Sequence, residues 1–144
     1  MDTIVLATDG SEPARHARAT AAVLARSLAA HVLVVAVVEP ELFDAAPDQE
    51  LVDSMETYLH GVVHEEAAAL EAEGVPARGR VACGARAWRT IIDVAVEDRA
   101  DLIVMGSHGR TGFARAAMGS VAAAVVEHST LPVVVVPFRD HEPG

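Results

Sequence analysis

The chain has 144 residues, enough for one domain with a substantial core, and a formal net charge of −10 at neutral pH. That charge argues against nonspecific binding to nucleic acid or to an anionic membrane, because both want a basic surface. All 11 basic residues are arginine, so a P-loop lysine, the strand lysine of a protein kinase and a Schiff-base amine are excluded.

Thr3 to Thr8 is a short apolar run closed by Asp9-Gly10 and predicts a first buried strand. Ser11 is placed to cap the helix that follows, with Glu12 and Pro13 suited to its first turn. Ala17, Ala21, Leu24 and Leu28 then recur at helical spacing. His31 to Val38 predicts a second strand, and Glu39 to Pro47 a loop of undefined role. From Asp48 to Glu73 the positions Leu51, Met55, Leu59, Val62, Val63 and Leu70 keep a helical stripe that Gly74 stops. Val75 to Cys83, with small and charged residues, suits an edge strand. Trp88, Ile91, Ile92, Ala95 and Val96 share one face of a third helix, and Trp88 and Cys83 are expected to pack in or near the core.

Leu102 to Met105 predicts a buried strand, followed by a glycine-rich loop, a helix opening at Gly119-Ser120 and a last strand of four valines, Val133 to Val136. The order β-α-β-α-β-α-β-α-β predicts an α/β fold: a single three-layer, doubly wound domain over residues 1–144, with 137–144 as a C-terminal tail. Its five-stranded parallel sheet is expected in the order 3-2-1-4-5, which sets the ends of strands one and four side by side. Asp9 and Gly106 then meet across one crevice.

The loop after strand four carries Gly106, Gly109 and, after nine intervening residues, Gly119-Ser120. Bare backbone N–H groups at a helix N-terminus suit an anion, and phosphate is the natural guest. The competing explanation is structural, since glycine also serves tight strand exits and turns. Asp9 has the same two readings, as a ligand contact or as the cap of the turn that follows. His108, Ser107 and Thr111 lie in the loop, either solvated or in contact with phosphate.

The spacing Gly106-x2-Gly109-x9-Gly119-Ser120, the opening I-V-L-A-T-D-G-S and the segment D-L-I-V-M-G-S-H-G together resemble the universal stress protein family over nearly the whole chain. The resemblance implies a flavodoxin-like (Rossmann-like) fold, often a homodimer, whose ATP-binding branch holds adenosine and triphosphate in the crevice. Carried over position by position, it implies contacts from Ala7, Thr8, Asp9, Val37, Met105, Gly106, His108, Gly109, Arg110, Gly119, Ser120 and Val121. Arg110 is the choice for a charge contact, and Mg2+ or Mn2+ would offset the missing lysine. Antiparallel pairing of Val133–Val136 with the same strand of a second copy is the expected dimer contact; the other reading covers that edge with the chain's own tail.

Three functions stay open on the sequence. One is a nucleotide-binding regulator whose occupancy an unidentified protein partner reads. Another is a slow ATP hydrolase or phosphotransferase, for which only Asp9, His108 and Arg110 stand as candidates and no familiar pairing of base and nucleophile is visible. The third is an interaction module without ATP, which the intact glycine pattern disfavours. The choice leans to the regulator, with no catalytic residue assigned and the metal ligands unknown. Hydride transfer is disfavoured, because D-G-S-E-P follows strand one where a dinucleotide fold carries G-x-G-x-x-G. The lone Cys83 permits no internal disulfide and fits a reducing cytoplasm, and the acidic start is unlike a signal peptide. No stretch of about eighteen apolar residues suggests a membrane span.

Overall fold

The computed structural model describes residues 2–40, 49–108 and 118–138. Its elements alternate as the hydrophobic runs predict: β1 (Thr3–Ala7), α1 (Glu12–Leu28), β2 (His31–Val38), α2 (Gln49–Ala72), β3 (Ala77–Cys83), α3 (Ala87–Glu97), β4 (Leu102–Gly106), α4 (Ser120–His128) and β5 (Val133–Val136). The five strands form one parallel sheet in the order β3-β2-β1-β4-β5. β1 is central, with Val5 opposite Leu33 on one side and Ile103 on the other.

Alternation along the strands divides the core into two layers. Ile4, Leu6, Val32, Val34 and Val104 pack beneath α1 and α2, while Val5, Leu33, Val35 and Ile103 pack beneath α3 and α4. All nine of these are fully buried. At about 1.5–3 kcal/mol for each large apolar side chain removed from water, this layering is the main force that fixes the sheet.

Chain punctuation is local. Ser11 Oγ accepts from the Ala14 N–H at 3.4 Å, so it caps α1 as its sequence position predicts. α2 stops at Gly74, whose φ of +81° lets the Val75 N–H fold back to Leu70 O at 3.0 Å and the Gly74 N–H reach Glu71 O at 2.9 Å. The same bond back spends the Val75 N–H, so β3 begins at Ala77 and not at Val75. At the amino end of the sheet, Asp101 Oδ2 accepts the N–H groups of Asp2 and Thr3, and these bonds hold its carboxyl below the ordinary range.

Several expected core positions are not in the core. Leu28, Leu51 and Val96 are 38%, 43% and 54% exposed. Each stands in the first or last turn of its helix, where apolar spacing continues but less of the sheet lies beneath. Val52, directly after Leu51, and Val94, two residues before Val96, take buried places instead. Cys83 is exposed, contrary to expectation, because it is the last residue of an edge strand. Trp88 is half-buried and stacks on His128 at 4.5 Å, joining α3 to α4.

No helix among the described residues is long and apolar enough to cross a membrane.

Candidate functional site

Adjacent pairing of β1 and β4 brings their carboxyl ends together, and the loops leaving them open in opposite directions, to α1 and to α4. Such a switch point leaves a crevice beyond the strand ends. Thr8 closes β1 by donating its N–H to Val35 O at 2.9 Å, and the chain then turns sharply. The Gly10 N–H donates to Thr8 Oγ1 and the Ser11 N–H to Asp9 Oδ1, at 3.1 and 2.9 Å. The turn-capping role of Asp9 is therefore present, and it fixes the carboxylate at the rim of the crevice.

Gly106, at the end of β4, is closely packed: a Cβ there would lie 3.1 Å from Pro13 O and 3.2 Å from His108 O, tighter than ordinary contact. The start of α1 thus rests directly on the exit of β4. Gly119 sits at the N-cap of α4 with φ −71° and ψ 162°, an extended conformation open to any residue. Its N–H donates to Ser107 O at 2.6 Å, so that N–H, expected to face phosphate, is turned onto the loop's own start. The N–H groups of Ser120, Val121 and Ala122 begin the helix, and no side chain among the described residues caps them.

Four apolar positions converge on the layer under α3 and α4. Ala7 and Met105 are buried, whereas Val37 and Val121 are half-buried at the ends of β2 and the start of α4. Among the sequence-predicted positions, Ala7, Thr8, Asp9, Val37, Met105, Gly106, His108, Gly119, Ser120 and Val121 fall at strand ends or at the α4 entry. Gly109 and Arg110 lie outside the described residues, as does most of the loop from Glu39 to Pro47.

Two polar residues gain roles that spacing alone did not reveal. Ser107 is 5% exposed and hydrogen-bonded at its N–H, its carbonyl and its hydroxyl. Its sequence signal is a hydroxyl residue between a buried strand and a polar loop. Glu39 Oε2 accepts the Ala87 N–H at 2.8 Å, tying the chain after β2 to the first residue of α3. An acid just beyond a strand end was its signal. His108 Nδ1 lies 2.9 Å from Ser107 Oγ, and His108 Nε2 is buried without a hydrogen-bond partner among the described residues.

A groove of about 580 Å3 lies apart from the crevice, between β3 and α3, with Arg80, Arg86, Trp88 and Arg89 among its walls. Arg80 is engaged there by Glu97 and Asp98, at 3.0 and 3.1 Å. Among the described residues no three or more His, Cys, Asp or Glu side chains stand together as a metal site.

Comparison with known proteins gives the same outline. A curated universal stress protein of Thermus aquaticus, encoded in the 3′ region of a QAH/OAS sulfhydrylase, is 32% identical over 134 residues, covering 93% of this chain and 97% of that one. The solved UspA of Lactobacillus plantarum superposes with a TM-score of 0.84 at 25% identity, over 94% of this chain and 97% of that one. A universal stress protein solved in complex with cAMP superposes with a TM-score of 0.70 at 26% identity, over 94% and 96% of the two chains. The model of the universal stress protein family matches residues 1–137. With the strand order and the α4 entry in place and the family model matched over residues 1–137, the chain belongs to the universal stress protein family.

Proposed function

We propose that this protein binds an adenine nucleotide, ATP foremost, in the crevice between the ends of β1 and β4. The observation that carries the reading is the N-terminus of α4: among the described residues its first-turn N–H groups receive no side-chain cap, and it opens next to the β4 exit through the Gly119–Ser107 bond. Such an end binds phosphate through the helix dipole and bare donors. Val37 and Val121, half-buried beside Ala7 and Met105, supply an apolar wall for the base. Asp9 at the rim faces the ribose side. A family member held with cAMP supports the adenine class.

Mg2+ would reach the site on the phosphate oxygens, with few protein ligands, as it commonly does. Arg110 would share the charge. Occupancy is then read by a protein partner in the cytoplasm, and the half-buried valines of β5 pair with a second copy to make a homodimer. The net charge of −10 disfavours nucleic acid as the partner.

Calorimetric titration of the nucleotide-stripped protein with ATP and AMP, with and without Mg2+, tests the reading. Micromolar or tighter binding is expected. If neither nucleotide binds, the pocket is wrong and the interaction-module reading takes its place.

A further inference from the structure

We propose that Ser107 is a positioning residue that couples the nucleotide crevice to the chain beyond β5; the proposal rests on the nucleotide reading above. Ser107 follows Gly106 directly, and each of its polar groups is engaged. Its N–H donates to Val136 O at 2.9 Å, the last residue of β5. Its carbonyl accepts from the Gly119 N–H at 2.6 Å, at the entry of α4. Its hydroxyl accepts from the Phe138 N–H at 3.4 Å and lies 2.9 Å from His108 Nδ1. One buried residue therefore joins the exit of β4, the start of α4, the end of β5 and the chain after it.

A hydroxyl has one proton to give and lone pairs to receive. With the Phe138 N–H on one lone pair, Ser107 Oγ either donates to His108 Nδ1 or accepts from it according to the ring's tautomer; where it donates, the ring's own N–H stands at Nε2. His108 Nε2 is buried and has no hydrogen-bond partner among the described residues. A buried donor of this kind calls for an acceptor. An anionic oxygen of the ligand completes the network at that point, and the effect passes through Ser107 to Val136 and Phe138. Coupling of this sort is reciprocal: whatever nucleotide does to the β5 end, loosening that end must do to nucleotide affinity.

The Phe138 ring meets His16 edge-on at 5.7 Å, independently of the backbone bond. Phe138→Ala removes the ring and keeps the N–H, whereas Phe138→Pro removes both, so the difference between the two variants isolates the hydrogen bond. The experiment measures ATP affinity and amide exchange of residues 133–136, with and without ATP, in the full chain. The expected result is that ATP slows exchange of those amides in the parent and in Phe138→Ala. In Phe138→Pro and Ser107→Ala that slowing is lost, and Phe138→Pro binds ATP about fivefold more weakly than Phe138→Ala, the effect of one net hydrogen bond. If the parent binds ATP but Phe138→Pro matches Phe138→Ala in both readings, the coupling is overturned and the nucleotide site stands. If the parent binds neither ATP nor AMP, both fall together.

Discussion

The Arg18 guanidinium stands 3.1 Å from Glu66 Oε2 across the seam between α1 and α2, an ion pair without the alignment of a hydrogen bond. Glu66 is 3% exposed among the apolar residues Leu59, Val63 and Leu70. Burial pushes its carboxyl above the usual range, and the attraction of Arg18 only partly opposes that.

A carboxyl whose folded pKa is raised binds more protons folded than unfolded. Its contribution to stability is complete below the unfolded value, about 4.3, and is lost as pH rises through the folded value. Urea midpoints of the parent should therefore fall relative to Glu66→Gln as pH rises from about 4.5 toward neutrality. Arg18→Met leaves the carboxylate buried without its counter-charge and should cost about 1–3 kcal/mol at pH 7. That is less than for a fully buried pair, because the Arg18 side chain is 30% exposed and screened by water. A parent-minus-Gln difference that stays flat with pH would show that Glu66 does not titrate as its burial requires.

Helix ends give a second prediction. α1 and α3 close as α2 does, with the Ala30 N–H bonded to Ala25 O at 2.9 Å and the Ala100 N–H to Ala95 O at 2.8 Å. The residues in the left-handed position are Ala29 and Arg99, at φ 53° and 54°, where α2 uses Gly74. Left-handed backbone costs a residue with a Cβ about 1–2 kcal/mol, of which glycine's greater unfolded-state freedom returns about 0.5–1. Ala29→Gly and Arg99→Gly should each raise stability by about 0.5 kcal/mol in urea denaturation. A loss in both variants would mean that the side chains contribute more than the strain costs.

The fold was legible because β1, β2, β4 and β5 are short apolar, β-branched runs and the strands end at turn residues: Asp9-Gly10, Glu39-Pro40, Gly84, Gly106 and Pro137. Alternation of these runs with helical stripes leaves one sheet class, and the glycine spacing marks the helix that points at the crevice. Side-chain fate at helix ends was not legible. Leu28, Leu51 and Val96 keep the helical period as well as Leu59 does, and only the extent of the sheet beneath them decides their exposure. Glu66 was legible in principle, as an acid in the stripe of Leu59, Val63 and Leu70. At the β4 exit and the α4 entry spacing marks Gly106 and Gly119, but the hydrogen bonds of Ser107 depend on the end of β5 and on Phe138, the latter 31 residues on in the chain. No local pattern carries that information.

Gly84 offers a test of packing outside the crevice. A Cβ at this position would fall on Thr90 Oγ1, the hydroxyl that donates to Arg86 O in the first turn of α3. The Gly84 N–H is meanwhile held by Val38 O at 3.0 Å, so the backbone cannot move away freely. Gly84→Ala should destabilise the fold by about 1–3 kcal/mol, the usual range for overpacking. Thr90→Ala in the same chain should recover most of the loss. Additive losses in the double variant would show that the two positions do not touch.

The last prediction separates binding from stability at the entry of α4. Ser120 is exposed and is the first residue of that helix, whose first turn holds no acid. Ser120→Asp puts a carboxylate where the helix dipole favours negative charge, so the folded state should gain about 0.3–1 kcal/mol. The same carboxylate would occupy the place proposed for phosphate and repel it, so ATP affinity should fall about tenfold or more, most strongly at low salt, where screening is weakest. Most substitutions that damage a site also weaken the fold; here the two effects are expected to have opposite signs, so lost binding cannot be put down to unfolding. Urea denaturation and calorimetric titration on one preparation give both numbers. Unchanged ATP affinity in a stabilised Ser120→Asp chain would move the phosphates away from α4.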